Sequence, residues 1–164
     1  MTTLYSIEVL STGSGRDGHV RTDDDALSFG MSAPKELGGS GEGFNPEQFF
    51  AAGYAACFHS ALHSVARKHR IKLPDSTVRA TVALVNPEPD KYLLEVNLLV
   101  ALPSVPHDLA LQLADEAHQI CPYSNATRGN IEVTLVVAED STAEDSTTDD
   151  STADGATASF AAVG

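Results

Sequence analysis

A long run without formal charge follows a strong helix start signal, and it constrains the fold more than any other part of the chain. Residues 48–66 contain no Asp, Glu, Lys or Arg. Before this run, Asn45 suits the N-cap and Pro46 suits the first helical position, while Gln48 completes a capping-box pattern. The pattern predicts a helix that starts at Asn45 and ends at about His69.

A membrane-spanning helix is the first alternative for such a run, since about 20 apolar residues cross a bilayer. Alanine and glycine dominate the run, however, and polar side chains recur along it: Gln48, His59, Ser60, His63 and Ser64. A helix buried between layers of protein accounts better for this composition. We therefore expect a globular protein without a membrane segment.

Acidic residues are concentrated towards the C-terminus. The 164 residues include 10 Lys and Arg against 23 Asp and Glu, for a net charge of −13. This balance repels phosphate backbones and anionic lipids, which argues against nucleic-acid and membrane partners. Seven of the acids lie in residues 139–164, which contain no Lys or Arg and repeat the motif EDST approximately. We predict a folded domain over residues 1–138 and a disordered acidic tail over 139–164.

Alternating apolar residues predict strands before, between and after two helices. A second helix is predicted from Pro106 to Cys121, because apolar residues recur there at helical spacing and Pro122 follows. The order of strands, helix, strands, helix and strand predicts an α+β fold rather than a βαβ repeat. The predicted strands cover residues 4–10, 19–22, 27–32, 78–84, 92–100 and 130–137.

The chain has two cysteines, Cys57 on the first predicted helix and Cys121 at the end of the second. Two cysteines are too few for a secreted disulfide scaffold, and no secretory signal is recognisable, so we expect a cytoplasmic protein. The 64-residue separation excludes a CxxC motif. Two interpretations remain open: a pair of buried core thiols, or a nucleophile and a resolving partner that helix packing brings together.

A reactive Cys57 requires a lowered pKa, because the thiolate is the nucleophile. Cys57 lies too far from the helix start for the dipole to act on it, and burial alone raises a thiol pKa. His59 and His63 point away from Cys57 around the helix. Arg16, in a glycine-rich turn, is a candidate cation, and a solvated turn residue is the alternative interpretation.

Two segments around the cysteines resemble the signatures of the OsmC/Ohr family. They are NPEQFFAAGYAACF at residues 45–58 and CPYSNATRGN at residues 121–130, and PKELGG at residues 34–39 fits the same family. The forms GYAACF and CPYSNATRGN resemble the organic hydroperoxide resistance (Ohr) branch rather than the OsmC branch. The resemblance covers about residues 1–138, and the acidic tail has no counterpart in it.

The resemblance implies an OsmC-like α+β fold with antiparallel strands and two central helices, in an intertwined homodimer. It implies a peroxidase for organic hydroperoxides in which Cys57 is the peroxidatic and Cys121 the resolving cysteine. Arg16 then activates the Cys57 thiolate, and Glu47 holds Arg16. The implied reductant is a dihydrolipoyl group on a lipoylated partner protein. No bound cofactor, haem, flavin or metal, is implied.

Half of the aromatic residues lie near the cysteines in the sequence. Core packing is one explanation, and an apolar pocket for the organic part of a hydroperoxide is the other. The five residues are Phe49, Phe50, Tyr54, Phe58 and Tyr123.

Three other functions remain open at this level. The first is an OsmC-type peroxidase with a broader peroxide range, and the second is a non-enzymatic binding module of the same fold. The third is a metal site that draws on Cys57, His59, His63 or Cys121. His59 and His63 share a helical face and form half of a zinc site, but no acidic residue completes an HExxH motif.

Glu47 and Cys57 lie on one predicted helix, separated by about 15 Å at 1.5 Å per residue. Glu47 therefore cannot touch Cys57 of its own helix. If two copies of the helix pack antiparallel, Glu47 of one chain holds Arg16 near Cys57 of its partner, and the small residues in 51–56 permit that close approach. Alternatively, Arg16 reaches Cys57 within one chain and Glu47 acts only at the helix start.

Overall fold

The computed structural model describes residues 2–139 of the chain, so the predicted acidic tail lies outside the described residues except for Glu139. The predicted α+β class is confirmed. The described residues form two three-stranded sheets and three α-helices. One sheet comes from the N-terminal part of the chain, and the other follows the long helix.

The first sheet is antiparallel and consists of β1 (Leu10–Gly13), β2 (Gly18–Arg21) and β3 (Ser28–Gly30). The β1–β2 turn presents Arg16 at its tip. Gly18 permits this tight turn, because a Cβ at that position would lie 2.0 Å from the Thr12 carbonyl oxygen. Asp17 secures the turn from its other side, since its Oδ1 accepts a hydrogen bond of 3.0 Å from the Ala33 backbone N–H.

The predicted strand over residues 4–10 is wrong for the single chain. The hydrogen-bonded strand begins only at Leu10, and residues 4–9 pair with no strand among the described residues. Their apolar side chains point into solvent, with Leu4 94% and Tyr5 77% exposed. The alternation of apolar residues is present, but a strand also needs a partner, and the chain itself supplies none here.

The long helix α1 (Pro46–Lys68) confirms the predicted helix and its capping box. Asn45 Oδ1 accepts from the Gln48 backbone N–H at 2.9 Å, and Gln48 Oε1 accepts from the Asn45 backbone N–H at 2.9 Å. His69 is the C-cap. Within residues 2–139, none of the helices combines the length and the apolar character that a bilayer crossing demands.

The second sheet contains β4 (Thr77–Glu88), β5 (Lys91–Ala101) and β6 (Glu132–Val137). The predicted apolar faces point inward, apart from the exposed Tyr92. β4 and β5 form an antiparallel hairpin, whereas β6 runs parallel to β5. The expectation of antiparallel strands is therefore wrong for this one pair, because the chain crosses over through helices before it adds β6.

Helix α2 (His107–Ile120) matches the second predicted helix, and Cys121 is its C-cap. A third helix, α3 (Pro122–Thr127), follows without a loop and was not predicted. Pro122 ends α2 and also starts α3, because proline is well tolerated in the first turn of a helix. Helix α1 contacts β4, α2 and α3, so the core lies between the second sheet and the helices.

Candidate active site

The fold brings the two cysteines together. Cys121 Sγ lies 3.8 Å from Cys57 Sγ, and both cysteines are free thiols. Cys57 is half-buried on α1, while Cys121 is fully buried at the junction of α2 and α3. Of the two interpretations of the cysteines, this distance favours a nucleophile and a resolving partner, since a small movement would bring the sulfurs to bonding distance.

The surroundings of Cys57 within one chain oppose thiolate formation. Burial is the main cause that raises the pKa of Cys57 above its ordinary value, and the neighbouring Cys121 raises it further. A hydrogen bond from the Tyr123 backbone N–H acts in the other direction and lowers the pKa. Because the net direction is upward, a nucleophilic Cys57 at neutral pH needs a further positive charge nearby.

Arg16 and Glu47 form a bidentate ion pair within the chain. Arg16 Nη1 donates to Glu47 Oε2 at 2.9 Å, and Nη2 donates to Oε1 at 2.6 Å. The hydrogen bond from Arg16 is the largest cause that lowers the pKa of Glu47, and the reciprocal hydrogen bond raises the pKa of Arg16. The pair fixes the planar guanidinium at the start of α1.

The two predicted pairs are not adjacent within one chain. Glu47 lies in the first turn of α1 and Cys57 in its middle, about 15 Å further along the helix axis. Each half of the predicted site is therefore present within one chain: Cys57 lies beside Cys121, and Arg16 is paired with Glu47. The two halves remain apart.

The five predicted pocket aromatics divide into three environments. Phe50, Tyr54 and Tyr123 form one cluster beside the cysteines, with ring centroids 5.6–6.1 Å apart. Phe58 is fully buried in the core, 6.4 Å from the His118 ring. Phe49 faces the first sheet, where it packs against Phe29 and Phe44.

A mostly apolar hollow lies beside Arg16 rather than beside the cysteines. Its volume is about 540 Å³, large enough for a small organic molecule. Phe49 and Pro46 come from the start of α1, and the remaining lining comes from the first sheet and its flanks: Val9, Ser11, Gly15, Arg16, Val20, Leu27 and Met31. Phe49, a predicted pocket residue, and Arg16, a predicted site residue, both line this hollow. Sequence reasoning missed the other lining residues, because nothing in their local spacing distinguishes a hollow from a core.

Comparison with known proteins identifies the family. Residues 39–136 match the family model described as OsmC-like protein. The organic hydroperoxide resistance protein of Xanthomonas axonopodis pv. citri is 46% identical over 136 residues, which cover 82% of this chain and 95% of that protein. The chain belongs to the OsmC/Ohr family.

Solved structures of the OsmC/Ohr family share the fold. An organic hydroperoxide resistance protein from Elizabethkingia anophelis is 48% identical with a TM-score of 0.80, over 85% of this chain and 100% of that one. A putative organic hydroperoxide resistance protein from Vibrio cholerae, with captopril bound in one of its active sites, is 44% identical with a TM-score of 0.79, over 84% of this chain and 94% of that one. The predicted OsmC-like fold and the resemblance to the Ohr branch are confirmed.

Sequence reasoning also missed a buried polar network next to the cysteines of this OsmC/Ohr chain. The Tyr54 hydroxyl donates to Ser124 Oγ at 3.0 Å and lies 3.2 Å from Thr127 Oγ1. Tyr54 and Ser124 are fully buried, and Thr127 is nearly so. The signal for this network is the pattern of hydroxyl residues after Cys121, but it becomes meaningful only when α3 is seen against α1.

The two histidines of the metal alternative lie away from the cysteines. His59 and His63 have ring centroids 4.8 Å apart, and their Nε2 atoms lie 2.9 and 3.3 Å from Ser76 Oγ. Burial, together with His63, lowers the pKa of His59. Across residues 2–139, no three His, Cys, Asp or Glu side chains gather in a way that could hold a metal ion.

Proposed function

We propose that the protein is a thiol-dependent peroxidase that reduces organic hydroperoxides to alcohols. The observation that carries this proposal is the thiol pair, in which a half-buried Cys57 stands 3.8 Å from a fully buried Cys121. The names of the relatives, which refer to organic hydroperoxide resistance, support the same chemistry. Broader peroxide use, as in an OsmC-type peroxidase, is an outcome that the experiment below would detect.

In the proposed first step, the Cys57 thiolate attacks the terminal oxygen of the hydroperoxide. The oxygen–oxygen bond breaks, the alkoxide takes up a proton and leaves as the alcohol, and Cys57 becomes a sulfenic acid. Cys121 then attacks the Cys57 sulfur, so that a disulfide forms and water leaves. An external dithiol restores both thiols by exchange.

The required positive charge comes from Arg16 of a second copy of the chain. Within one chain the pKa of Cys57 is raised and Arg16 is bound to Glu47 about 15 Å along the helix. In an antiparallel pair of α1 helices, the start of one helix approaches the middle of the other. The Arg16–Glu47 pair of one chain then meets the cysteine pair of its partner, and each homodimer has two shared sites.

Exposed apolar residues of the N-terminal segment support a homodimer. Tyr5, Ile7 and Val9 alternate with polar residues like a strand, but they are exposed and have no partner strand in residues 2–139. A second copy would offer both a sheet edge and apolar cover for this segment. An intertwined arrangement would satisfy the strand pattern that one chain leaves unpaired.

The apolar surroundings favour an organic peroxide over hydrogen peroxide. In the shared site, the hollow beside Arg16 and the partly exposed rings of Phe50 and Tyr123 beside Cys57 would lie on either side of the reacting sulfur. Apolar walls bind the organic part of the substrate and exclude water. The proposed reductant is a dihydrolipoyl group on a lipoylated protein, and the cycle needs no bound cofactor.

The test is a comparison of peroxides and reductants on the full chain. Cumene hydroperoxide, t-butyl hydroperoxide and hydrogen peroxide are each supplied with dihydrolipoamide or with thioredoxin, and peroxide loss is followed. We expect rapid turnover of the organic peroxides with dihydrolipoamide. Equal turnover of all three peroxides would indicate the broader specificity, and no turnover of any would favour a non-enzymatic binding module.

A further inference from the structure

We propose that Tyr54 is a positioning residue for disulfide closure: its buried hydroxyl ties α3 to α1 and thereby holds Cys121 against Cys57. The inference deepens the proposed function and rests on it, because closure is the second step of the proposed cycle. Tyr54 lies one helical turn before Cys57 on α1, and α3 begins directly after Cys121. One side chain thus links the two elements that carry the two sulfurs.

The link consists of hydroxyl groups shielded from water. Tyr54 and Ser124 have no exposed surface, and their hydroxyls are 3.0 Å apart. Thr127 Oγ1, 3.2 Å from the Tyr54 hydroxyl, also donates to the Tyr123 carbonyl at 3.0 Å. A buried hydroxyl that loses its partner pays its full desolvation cost, so α3 is held firmly in this one position.

A second contact packs the start of α3 against α1. The Tyr123 ring lies against Gly53, where a Cβ would be 2.8 Å from the Tyr123 hydroxyl oxygen. The backbone N–H of Tyr123 also forms the hydrogen bond that lowers the pKa of Cys57. Helix α1 therefore meets α3 at Gly53, Tyr54 and Cys57, and the Tyr54 hydroxyl supplies the buried polar part of this contact.

The chemical step depends on how often Cys121 stands next to Cys57. Cys121 attacks the Cys57 sulfur, the sulfur–sulfur bond forms, the S–OH bond breaks, and the hydroxyl leaves as water with the proton of the Cys121 thiol. The step requires no other reactant. The two sulfurs start 3.8 Å apart. Because α3 is anchored to α1, the Cys121 sulfur stays close to attack geometry, and the effective concentration of Cys121 at Cys57 is raised.

The test compares wild type with Tyr54→Phe, which keeps the ring and removes only the hydroxyl. One equivalent of cumene hydroperoxide is added, and the sulfenic acid of Cys57 is followed by dimedone trapping while disulfide is measured by mass spectrometry. We expect closure to slow about tenfold, the scale of one lost hydrogen bond, with a matching rise in trapped sulfenic acid. Tyr92→Phe, at an exposed tyrosine of β5, is the matched control and should close at the wild-type rate.

A second measurement needs no hydroperoxide and so remains informative if the proposed peroxidase activity is absent. The thiols are equilibrated with mixtures of reduced and oxidised dithiothreitol. The Tyr54→Phe disulfide should be about tenfold less stable than that of wild type, which corresponds to a reduction potential about 30 mV higher. If Tyr54→Phe does not fold, Ser124→Ala, which removes the acceptor of the same hydrogen bond, replaces it in both measurements.

A merely structural role would lower the melting temperature and leave both redox measurements unchanged. A folded Tyr54→Phe with wild-type closure and a wild-type dithiol equilibrium therefore overturns the proposal. Absence of peroxide turnover in wild type, together with a shifted dithiol equilibrium in Tyr54→Phe, would overturn the proposed function alone.

Discussion

The two cysteines differ in exposure, and this difference assigns their proposed roles. Cys57 is half-buried and can meet a small molecule from solvent, whereas Cys121 is fully buried behind it. In the proposed cycle, a peroxide therefore meets Cys57 first, and Cys121 acts only on a sulfur that has already been oxidised. Burial also protects Cys121 from direct oxidation.

Serine substitutions should separate the two roles. Cys57→Ser is expected to abolish hydroperoxide turnover, because no other thiol is accessible among the described residues. Cys121→Ser should still consume one equivalent of hydroperoxide and then stall, with Cys57 passing to the sulfinic state when peroxide is in excess. Peroxide assays and intact mass measure both effects, and turnover by Cys57→Ser at the wild-type rate would refute the assignment.

The Arg16–Glu47 pair makes a pH-dependent contribution to stability. The pKa of Glu47 is lowered in the folded chain, chiefly by the hydrogen bond from Arg16. A lowered folded pKa stabilises the native state above the ordinary value of 4.5, and this stabilisation is lost as the pH falls through the folded pKa. The ion pair should thus matter at neutral pH and disappear in acid.

Glu47→Gln should expose this dependence. We expect its melting temperature to lie below that of wild type at pH 7, and the difference to shrink as the pH is lowered beneath 4.5. Differential scanning calorimetry across this range measures the difference. Glu42→Gln, at an exposed loop position, is the control. If the melting temperature of Glu47→Gln stays below that of wild type by the same amount from pH 7 into acid, the stabilisation does not come from the ionised Arg16–Glu47 pair.

Helix α1 organises the site along its length. Its first turn carries Glu47, its next turns carry Phe50 and Tyr54, and its middle carries Cys57. The capping box at Asn45 and Gln48 sets where the helix starts, and therefore sets the position of Glu47 relative to the β1–β2 turn. A local signal of four residues thus positions one half of the candidate site.

Removal of the cap should destabilise the fold by a predictable amount. Asn45→Ala deletes the side chain that accepts from the Gln48 backbone N–H and should cost about 1 kcal/mol in the free energy of unfolding. Urea denaturation measures this cost. Ser60→Ala, at an exposed position in the middle of α1, is the matched control and should change stability far less. Equal stability of the two variants would show that the cap contributes nothing.

For the whole molecule, the central question is whether one chain can form the complete site. The single chain separates the Arg16–Glu47 pair from the cysteine pair and leaves residues 4–9 without a strand partner. Both features have one explanation in the proposed homodimer. In the proposed homodimer with shared sites, hydroperoxide turnover would be a property of the assembly rather than of the single chain.

Complementation distinguishes a shared site from a site within one chain. Arg16→Ala and Cys57→Ser chains are mixed and allowed to exchange subunits, and hydroperoxide turnover is measured. We expect activity to rise above that of either variant alone, because each mixed dimer has one site with an intact Arg16 and an intact Cys57. If labelled subunits exchange and turnover does not rise, Arg16 acts within its own chain.

Much of this protein can be predicted from local sequence. The cap at Asn45, the uncharged helix after it and the alternation in β4, β5 and β6 follow from rules that extend over only a few residues, and the structure confirms them. Residue type also identified Cys57, Cys121 and Arg16 as candidates, and the resemblance to the OsmC/Ohr family added Glu47. Their catalytic roles stay predictions, although the expected partners do lie together in pairs.

The sequence by itself determined most of the secondary structure elements, most of the candidate side chains and the family, because capping, periodicity and motif spacing are local properties. Only the tertiary structure decided which of those side chains meet. It joined Cys57 to Cys121 across 64 residues, made β6 parallel to β5, turned the segment after Pro122 into α3 and left residues 4–9 unpaired. Contacts between distant residues depend on how whole elements pack, and a strand needs a neighbour that its own pattern cannot supply.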